Sequence, residues 1–387
     1  MQAIKVNSET DGLERSFRSV VIFWSILLLI YSAYCGILFD HKHYVEQWQL
    51  MLSGGDPWST DNTYGPLHNI VGYLFLIHPF APKLFMVGSL LIANFYLLSQ
   101  LLFSRREITP FIVYALAIPV NVLTLGIGIV FGLNDSLVAA LLVFAVFSRL
   151  KNKEFFTGLF LALAALMKFY PLFLTPLFVL ESGFRIRWKI GFWTVGIFII
   201  GMLFSYVIWG PSLFDVIRSG AGRGPSFMSI LAVGGRHWGD EMWFQWLVRY
   251  NIFIVAMGIG IIFGYCFWRQ VLWLPAVVIG YLVLLSLYKV GHQQFFLGWL
   301  FLVPCLYFLR SSEADLLAII LIPIIVFLSV VHFAFDLGTN LLGNRPDWLK
   351  DVGFVVFPVE MISIAVCLIV SWKNENSDLE ISTQMKI

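Results

Sequence analysis

Apolar runs of 18 or more residues recur along this chain from one end to the other. A run of that length is what an α-helix needs to cross the hydrocarbon core of a bilayer. Backbone groups in lipid must be hydrogen-bonded within the protein, and a helix achieves this within one segment. The strand-length alternation of a membrane barrel is absent from the sequence. The sequence therefore predicts an all-α polytopic membrane protein, a helical bundle of about 10–12 membrane segments.

The composition agrees with this class. Of 387 residues, 59% are hydrophobic and only 12% are charged, whereas a water-soluble protein carries about twice that charge. A net charge of +2 gives no indication of nucleic-acid binding. The four cysteines lie singly inside apolar runs, so we expect core residues and neither a metal site nor a disulfide framework.

Basic residues predict the orientation of the chain. Residues 1–18 carry three basic side chains and are predicted to be cytoplasmic by the positive-inside rule. The first apolar run, residues 19–39, is longer than the core of a cleavable signal, so we interpret it as a retained span. It brings Asp40 to the outer face, and alternation of the later spans leaves residues 373–387 as a cytoplasmic tail. Two segments are ambiguous: 67–80, interpreted as an outer-face helix, and 155–181, interpreted as a hairpin.

Residues 40–66 form the first outer loop in this tracing. A helix is predicted at its start, with Asp40 as N-cap and Gly54-Gly55 as the stop signal. Its two faces differ in polarity, which is typical of a helix lying on the bilayer surface. The apolar face holds Tyr44, Val45, Trp48, Met51 and Leu52, and the polar face holds Lys42, His43, Glu46, Gln47 and Gln49.

Polar side chains that are unusual in an apolar chain converge on the outer face in this tracing. Each ionisable group inside an apolar segment costs about 2.5–3.5 kcal/mol even on the lenient insertion scale. One-sided convergence suits a reaction centre, whereas a transporter needs polar groups along a path to both sides. The residues are Asp40, His41, His43, Glu46, Tyr64, Asn134, Asp135, Lys168, Arg218, Arg223, Arg236, His237, Lys289, His292 and Gln293.

Three of these positions have two interpretations each. Asp40 is either a helix cap or a general base that accepts the proton of a sugar hydroxyl. Tyr64 lies in a Gly-Pro turn, and is either part of a plain turn or a substrate contact. Asn134 and Asp135 either cap the returning helix, or orient a sugar, or hold the surroundings of Asp40.

Three basic positions are candidate phosphate ligands. Lys168 lies inside an apolar segment with no acid nearby in sequence, and a lysine at the outer headgroups can bind a lipid phosphate. Arg223 lies in a glycine-rich segment and is either a phosphate ligand or part of an ordinary charged loop. His292 either contacts a phosphate or assists proton transfer, or it is an ordinary interfacial histidine.

Three stretches together resemble a known family. They are Asp40 followed by GGDPW and YGPL, the block over residues 132–180, and KVGHQQFFLGWLFLVP over residues 289–304. Over about residues 20–310 the chain resembles the GT-C integral membrane glycosyltransferases. Within them it is most similar to glycosyltransferase family 87, the bacterial polyprenyl-phosphate-mannose-dependent mannosyltransferases.

The resemblance implies a single GT-C domain over residues 1–387, with a catalytic aspartate in the first outer loop, matched by Asp40. It implies a lipid-phosphate-linked sugar donor, inverting single displacement and no cofactor. Many members of the wider superfamily have paired acids in this loop. Here the neighbour is His41, so we expect no divalent metal. The Asn134-Asp135 pair, Lys168 and His292 match positions where the resemblance suggests substrate contacts.

The resulting hypothesis is a multi-pass cell-membrane enzyme with both termini cytoplasmic and its active site on the outer, periplasmic or extracellular, face. It moves a sugar, expected to be mannose, from a polyprenyl-phosphate donor to a lipid-linked or cell-envelope glycan acceptor. Membrane lipids are the other partners, and no nucleic acid is expected. Two alternatives remain: a lipid-linked-sugar flippase or transporter, and a non-catalytic partner in envelope glycan assembly. The enzyme hypothesis requires Asp40 and Lys168 to line one cavity.

Overall fold

The computed structural model describes residues 2–38, 40–59, 62–104, 121–309, 312–340 and 351–372. The predicted cytoplasmic tail, 373–387, lies outside these ranges. The membrane segment predicted over residues 109–131 and the outer loop predicted over residues 336–351 also lie mostly outside these ranges.

Helices dominate the part of the chain that the structure describes. Six of them are long and apolar enough to cross a membrane, or seven if a bent pair over residues 124–150 counts as one span. This confirms an all-α polytopic membrane protein, while the side of the membrane on which each loop lies stays a prediction. The six are Ser16–Tyr34, Ala81–Leu101, Trp188–Val216, Asn251–Trp268, Ala314–Phe335 and Gly353–Ser371, and shorter apolar helices cover Glu154–Met167, Trp273–Leu287 and Gln293–Leu309.

The elements follow one another in a nearly continuous series of helices. The helices are α1 (Gln2–Tyr34), α2 (Asp40–Leu52), α3 (Pro66–Gly72), α4 (Ala81–Ser104), α5 (Asn134–Leu150), α6 (Glu154–Met167), α7 (Thr175–Phe178), α8 (Trp188–Trp209), α9 (Leu213–Gly222), α10 (Ile230–Trp238), α11 (Met242–Arg249), α12 (Asn251–Trp268), α13 (Trp273–Leu287), α14 (Gln293–Leu302), α15 (Ser312–Asn340) and α16 (Gly353–Trp372). A π-helix covers Thr124–Phe131, and 3₁₀ turns cover Tyr73–Leu76, Tyr170–Leu174, Gly210–Ser212 and Val303–Leu309. Strand β1 (Leu180–Glu181) pairs antiparallel with β2 (Arg185–Ile186), and β3 (Ser226–Phe227) pairs parallel with β4 (Val290–Gly291).

The bundle has central and peripheral helices. Almost every residue of α5 and α13 is buried, as expected for helices that are apolar on all sides and surrounded by others. The helices α1, α8 and α12 instead leave large apolar side chains exposed along one face. Such continuous exposed apolar surface is costly in water, so these faces are the lipid-contacting surface of the bundle.

The first span ends earlier than the apolar run. Helix α1 stops at Tyr34, five residues before the predicted end at residue 39, and Gly36 adopts a φ of +71° in the turn that follows. Helix α2 then begins at Asp40 itself, so this residue lies in the first turn and is not the predicted preceding cap. The buried residues of α2 also include His41 and Gln47. Gln47 was predicted to lie on the polar face of this helix, and it is buried instead.

A buried lysine joins the ends of three helices next to Asp40. Lys83 of α4 has no exposed surface, and its Nζ donates hydrogen bonds to the carbonyls of Ser32, Gly36 and Val130 at 2.6–2.9 Å. These carbonyls lie at the C-terminal ends of α1 and the π-helix, where the helix dipole favours a positive charge. The sequence analysis did not single out Lys83. Its contacts determine where α1 ends and therefore where α2 begins.

The ambiguous segment over residues 155–181 is a hairpin with Lys168 at its tip. Helix α6 ends at Met167, and the chain turns back through a 3₁₀ turn and the short helix α7. Arg149, at the other end of α5, donates hydrogen bonds to the carbonyls of Phe178 and Leu180 at 3.2 and 3.0 Å. The chain has therefore returned to that end of the bundle by Leu180. The other ambiguous segment, 67–80, forms only short helices and does not span.

Candidate active site

A large cavity, with a volume of about 1180 Å³, opens where the loops between these helices meet. Its wall is built by α2, the loop before α3, the hairpin tip after α6, the start of α12, and the two segments that carry β3 and β4. Five of the seven candidate residues line it: Asp40, Tyr64, Lys168, Arg223 and His292. Asp40 and Lys168 thus face the same space.

Asp40 forms one wall together with other polar residues of α2. Asp40 is partly exposed into the cavity, and His43, Glu46 and Gln47 follow it along the same wall. The Nδ1 atom of His43 lies 3.3 Å from Oε2 of Glu46, and both side chains are exposed. Glu46 is therefore already engaged by its neighbour on the helix surface. Asp40 is the acid of this wall with the deeper position.

Tyr64 is held beside Asp40 by a close chain crossing. The N–H of Gly65 donates to the carbonyl of Met167 at 3.0 Å, and a Cβ at Gly65 would overlap the carbonyl oxygen of Leu166. Only glycine permits this approach. The carbonyl of Tyr64 also accepts a hydrogen bond from Trp58 Nε1 at 3.1 Å. Burial and then the charge of Asp40 raise the pKa of Tyr64, so the ring carries a neutral phenol next to the acid.

Asn134 lies behind the cavity wall and supports it through His68. Both side chains have no exposed surface. Asn134 Nδ2 lies 3.0 Å from Nδ1 of His68, and Nε2 of His68 lies 3.1 Å from Oε1 of Gln47, which lines the cavity. This pattern fits a neutral imidazole that accepts at Nδ1 and donates at Nε2. Burial lowers the pKa of His68 to about 3, in agreement with that state.

Asp135 also lies behind the wall, where it supports Lys168. Lys168 Nζ contacts Asp135 Oδ2 at 2.5 Å, and the hydroxyl of Tyr170 donates to Oδ1 at 3.3 Å. The hydroxyl of Tyr281 lies 3.1 Å from that of Tyr170 and donates its proton to the carbonyl of Phe295 at 2.8 Å. The ammonium group also lies 4.8 Å from the ring centre of Phe295. Lys168 therefore has an acidic partner, which is 33 positions away and was invisible in the local sequence.

Another part of the cavity wall is basic and is built by two segments far apart in sequence. Strands β3 and β4 pair Ser226 with Val290 and Phe227 with Gly291, which brings Arg223 beside Lys289 and His292. A Cβ at Gly291 would overlap the backbone of Met228 and Ser229, so only glycine allows the two segments to pack this closely. The paired segments form a basic wall of the cavity that Asp40 also lines.

Asn251 and Ser229 fix the backbone of this wall. Asn251 Oδ1 accepts from the N–H of Lys289 at 2.8 Å, and its Nδ2 donates to the carbonyl of Leu287 at 2.7 Å. The hydroxyl of Ser229 donates to the carbonyl of Lys289 at 2.7 Å. All of these bonds hold the main chain of the basic wall, and Lys289 is one of the residues that line the cavity.

The basic wall is electrostatically suited to an anion. Burial and then the charge of Arg223 lower the pKa of Lys289. Burial, followed by the charges of Lys168 and Arg223, lowers the pKa of His292 well below its usual value. The imidazole is therefore neutral while the cations around it disfavour one another. A bound phosphate would relieve this repulsion and accept several hydrogen bonds.

The cavity also has an apolar part, called the apolar arm here. It lies against the hairpin tip, α8 and α9, and it carries aromatic and aliphatic side chains that can contact a hydrocarbon chain. Its lining residues are Phe169, Leu172, Phe173, Phe198, Met202 and Val216. The cavity thus offers an acid, a cluster of cations and an apolar channel in one space.

Other predicted members of the polar cluster lie elsewhere. His41 is buried and contacts the carbonyl of Gly132 through Nδ1 at 3.3 Å. Arg218 is exposed and pairs with Asp215 at 3.2 Å. Arg236 pairs with Asp351 at 2.8 Å. The predicted cluster depended only on which end of each span a residue follows. Neighbouring residues on a helix point to different sides, so some members of the cluster do not face the cavity. Among the described residues, no group of three or more His, Cys, Asp or Glu could hold a metal ion.

The sequence analysis missed four residues that support the cavity: Gln47, His68, Tyr170 and Asn251. Two of them carried a usable signal. His68 is a histidine within a short apolar stretch, and Asn251 is an amide at the first position of a span. Buried polar side chains of this kind need partners inside the protein, so each predicts a hydrogen-bond network.

Comparison with known proteins agrees with this geometry. No curated protein sequence matches the chain. The family model of glycosyltransferase family 87 matches residues 62–288, which is more than half of the 387 residues. That range includes Tyr64, Asp135, Lys168 and Arg223 of the site, while Asp40 and His292 lie outside it. The chain belongs to glycosyltransferase family 87, as the sequence predicts, and is a multi-pass membrane glycosyltransferase of GT-C type.

Proposed function

We propose that this protein transfers a sugar, with mannose as the expected sugar, from a polyprenyl-phosphate donor to a lipid-linked or cell-envelope glycan acceptor. The reaction is an inverting single displacement at the outer face of the membrane. The observation that carries the proposal is the meeting of Asp40 with Lys168, Arg223 and His292 in one cavity that also has an apolar arm.

Each part of such a donor has chemistry that matches one part of the cavity. The apolar arm suits the polyprenyl chain, because burying hydrocarbon against Phe173 and Phe198 is favourable. The basic wall suits the phosphate, because Arg223 offers a planar set of donors that matches phosphate oxygens. The sugar then lies between the phosphate and Asp40, beside the phenol of Tyr64.

Asp40 acts as the general base. It accepts the proton of the acceptor hydroxyl as that oxygen attacks the anomeric carbon, and the bond from the anomeric carbon to the phosphate oxygen breaks. Negative charge develops on the departing phosphate. Lys168, Arg223 and His292 stabilise it, which lowers the barrier because they are already oriented. Asn134 and Asp135 act from behind the wall by holding Gln47 and Lys168 in place.

The test is a turnover assay with purified protein and a panel of radiolabelled polyprenyl-phosphate sugars. We expect transfer from the mannose donor, and a loss of about 10²–10⁴-fold in kcat for Asp40→Asn with unchanged donor binding. Asp215→Asn, an exposed acid paired with Arg218, is the matched control and should keep wild-type activity. Retained activity in Asp40→Asn would defeat the assignment of the base.

The same assay separates the two alternatives. A flippase or transporter would move the lipid-linked sugar across vesicle membranes, and this transport would survive Asp40→Asn because no bond is broken. A non-catalytic assembly partner would turn over none of the donors in the panel. Transfer that depends on Asp40 is the outcome that only the proposed function predicts.

A further inference from the structure

A second, much smaller cavity lies directly behind His292. Its volume accessible to water is about 20 Å³, which is enough for one water molecule. The cavity lies between the loop of β4, α13, α15 and α16. Ser229 and Ser286 fall inside the range that the family model matches, whereas His292, His332 and Glu360 lie beyond it. Its polar lining residues are Ser229, Ser286, His292, His332 and Glu360.

Two ionisable side chains face this small cavity from inside membrane-spanning helices. Glu360 of α16 and His332 of α15 are each only 5% exposed. Neither ring nitrogen of His332 has a hydrogen-bond partner among the described residues, and its ring stacks on Phe296 with centres 4.9 Å apart. Ionisable groups are rare in such helices because burying them is costly, so their presence indicates a function.

The surroundings of Glu360 favour the neutral carboxylic acid. The hydroxyl of Ser286 borders Glu360 in the small cavity and donates its proton to the carbonyl of Leu282 at 2.8 Å. With its proton placed there, that hydroxyl offers only acceptor lone pairs to the small cavity, and these suit a protonated carboxyl group at Glu360. A neutral acid also avoids placing an isolated charge in the apolar interior.

His292 connects the two cavities, because it is a lining residue of both. In the large cavity it belongs to the basic wall, and in the small one it faces the same space as Glu360 and His332. A neutral imidazole can donate a proton from one nitrogen while it accepts another proton at the other nitrogen. His292 therefore has the position and the chemistry to pass a proton between the cavities.

We propose that Glu360, with His332 and one bound water, forms a proton reservoir that resupplies His292 during sugar transfer. The inference rests on the proposed function, because the proton that His292 gives goes to the departing phosphate. Glu360 and His332 act through His292 and do not touch the substrate. They are positioning residues, and they determine whether His292 has a proton to give to the phosphate.

Every proton that moves during one turnover is accounted for. Asp40 takes the proton of the acceptor hydroxyl while the sugar-to-phosphate bond breaks. A phosphate oxygen takes the proton from one nitrogen of His292, the other nitrogen takes a proton from the water, and the water takes the proton of Glu360. After the phosphate product leaves with its added proton, Asp40 releases its proton to water. Glu360 regains one through His292, so both carboxyl groups end as they began.

The first experiment is steady-state kinetics of Glu360→Gln with a polyprenyl-phosphate mannose donor. Glutamine fills the same space but has no acidic proton. We expect kcat to fall about 10- to 100-fold, with donor KM within about twofold of wild type, because only proton supply is lost. Glu360→Asp, which restores an acid one methylene shorter, should recover part of the loss. The matched control is Ser363→Ala on the same helix, a buried hydroxyl bonded to the carbonyl of Val359 outside the small cavity.

The second experiment is independent of turnover. Infrared difference spectra of wild type against Glu360→Gln at neutral pH should show the C=O stretch of one protonated carboxylic acid. An ionised carboxylate at Glu360 would overturn the proposal, and so would unchanged kcat in a folded Glu360→Gln variant. If Glu360→Gln does not fold, Glu360→Asp against wild type gives the same spectral test. A wild-type protein that transfers no sugar but shows the protonated acid would defeat the proposed function and not the buried acid.

Discussion

Asp40 and Asp135 occupy similar local positions and have different surroundings. Each follows an apolar stretch and lies in the first turn of a helix, Asp40 at the start of α2 and Asp135 at the start of α5. Asp135 has no exposed surface and contacts Lys168 and Tyr170. Asp40 is partly exposed and lines the large cavity.

The difference shows what makes a carboxylate available for chemistry. The oxygens of Asp135 are already used by an ammonium group and a phenol, so its charge stabilises the fold around the hairpin tip. Asp40 faces a space large enough for a sugar, and a base needs such access to the proton that it accepts. Four predictions test this contrast, in order of decreasing expected effect.

Asp135→Asn should destabilise the protein by about 3–5 kcal/mol, because Lys168 would keep a buried charge without its partner. The measurement is thermal unfolding in detergent or lipid discs. The double variant Asp135→Asn with Lys168→Met removes both charges and should recover most of the stability while sugar transfer stays lost. A single variant that melts at the wild-type temperature would show that this pair is not a structural one.

Arg223→Gln should raise the donor KM about 10- to 100-fold, since a hydrogen bond to a charged group contributes about 1.5–3 kcal/mol. Folding should be unaffected, because the side chain is exposed in the cavity. Arg218→Gln is the matched control: it lies in the neighbouring helix and pairs with Asp215 away from the cavity. Equal effects of the two substitutions would mean that net charge, and not a phosphate contact, determines donor affinity.

Acid should destabilise the protein through His68. Its pKa is about 3 in the folded protein and 6.5 when free, so the unfolded chain binds the proton more tightly. Stability is therefore complete above about pH 6.5 and falls as the pH is lowered toward 3, by about 2 kcal/mol at pH 5. Melting temperatures between pH 8 and pH 5 should fall further for wild type than for His68→Gln. If the melting temperatures of the two proteins fell equally between pH 8 and pH 5, His68 would not be the source of the acid sensitivity.

Asp40→Asn should change stability by less than about 1 kcal/mol, because this side chain contributes only an interaction with the start of helix α2. The measurement is the same thermal unfolding that is used for Asp135→Asn. The comparison is sharpest here, since the two variants make the same chemical change. A loss of stability as large as that of Asp135→Asn would place Asp40 among the structural acids and remove the basis for its role as a base.

Much of the fold could be predicted because its cause is local. Apolar runs of span length predicted the membrane helices, and the turn at Lys168 predicted a hairpin. The wrong details have causes that are not local. The early end of α1 depends on Lys83, which binds carbonyls from two other segments. The burial of Gln47 depends on His68, which comes from the next helix.

The candidate site was predicted in part for the same reason. Lys168 stood out because a charge inside an apolar segment is costly, but its acidic partner could not be found from sequence. The approach of Arg223 to His292 depends on a parallel pairing of two-residue strands, which leaves almost no periodic signal. The prediction that Asp135 contacts substrate could not include its pairing with Lys168, a residue that lines the cavity.

The amino-acid sequence by itself determined the class of this protein, the solvent it folds in and the residue types at its site. Hydrophobicity and helix formation act over neighbouring residues, so a single segment expresses them completely. Only the tertiary structure decided which aspartate faces a cavity, which lysine has a partner and which histidine joins two cavities. Those properties depend on contacts between segments that lie far apart along the chain, and distance, burial and charge exist only once the segments are packed together.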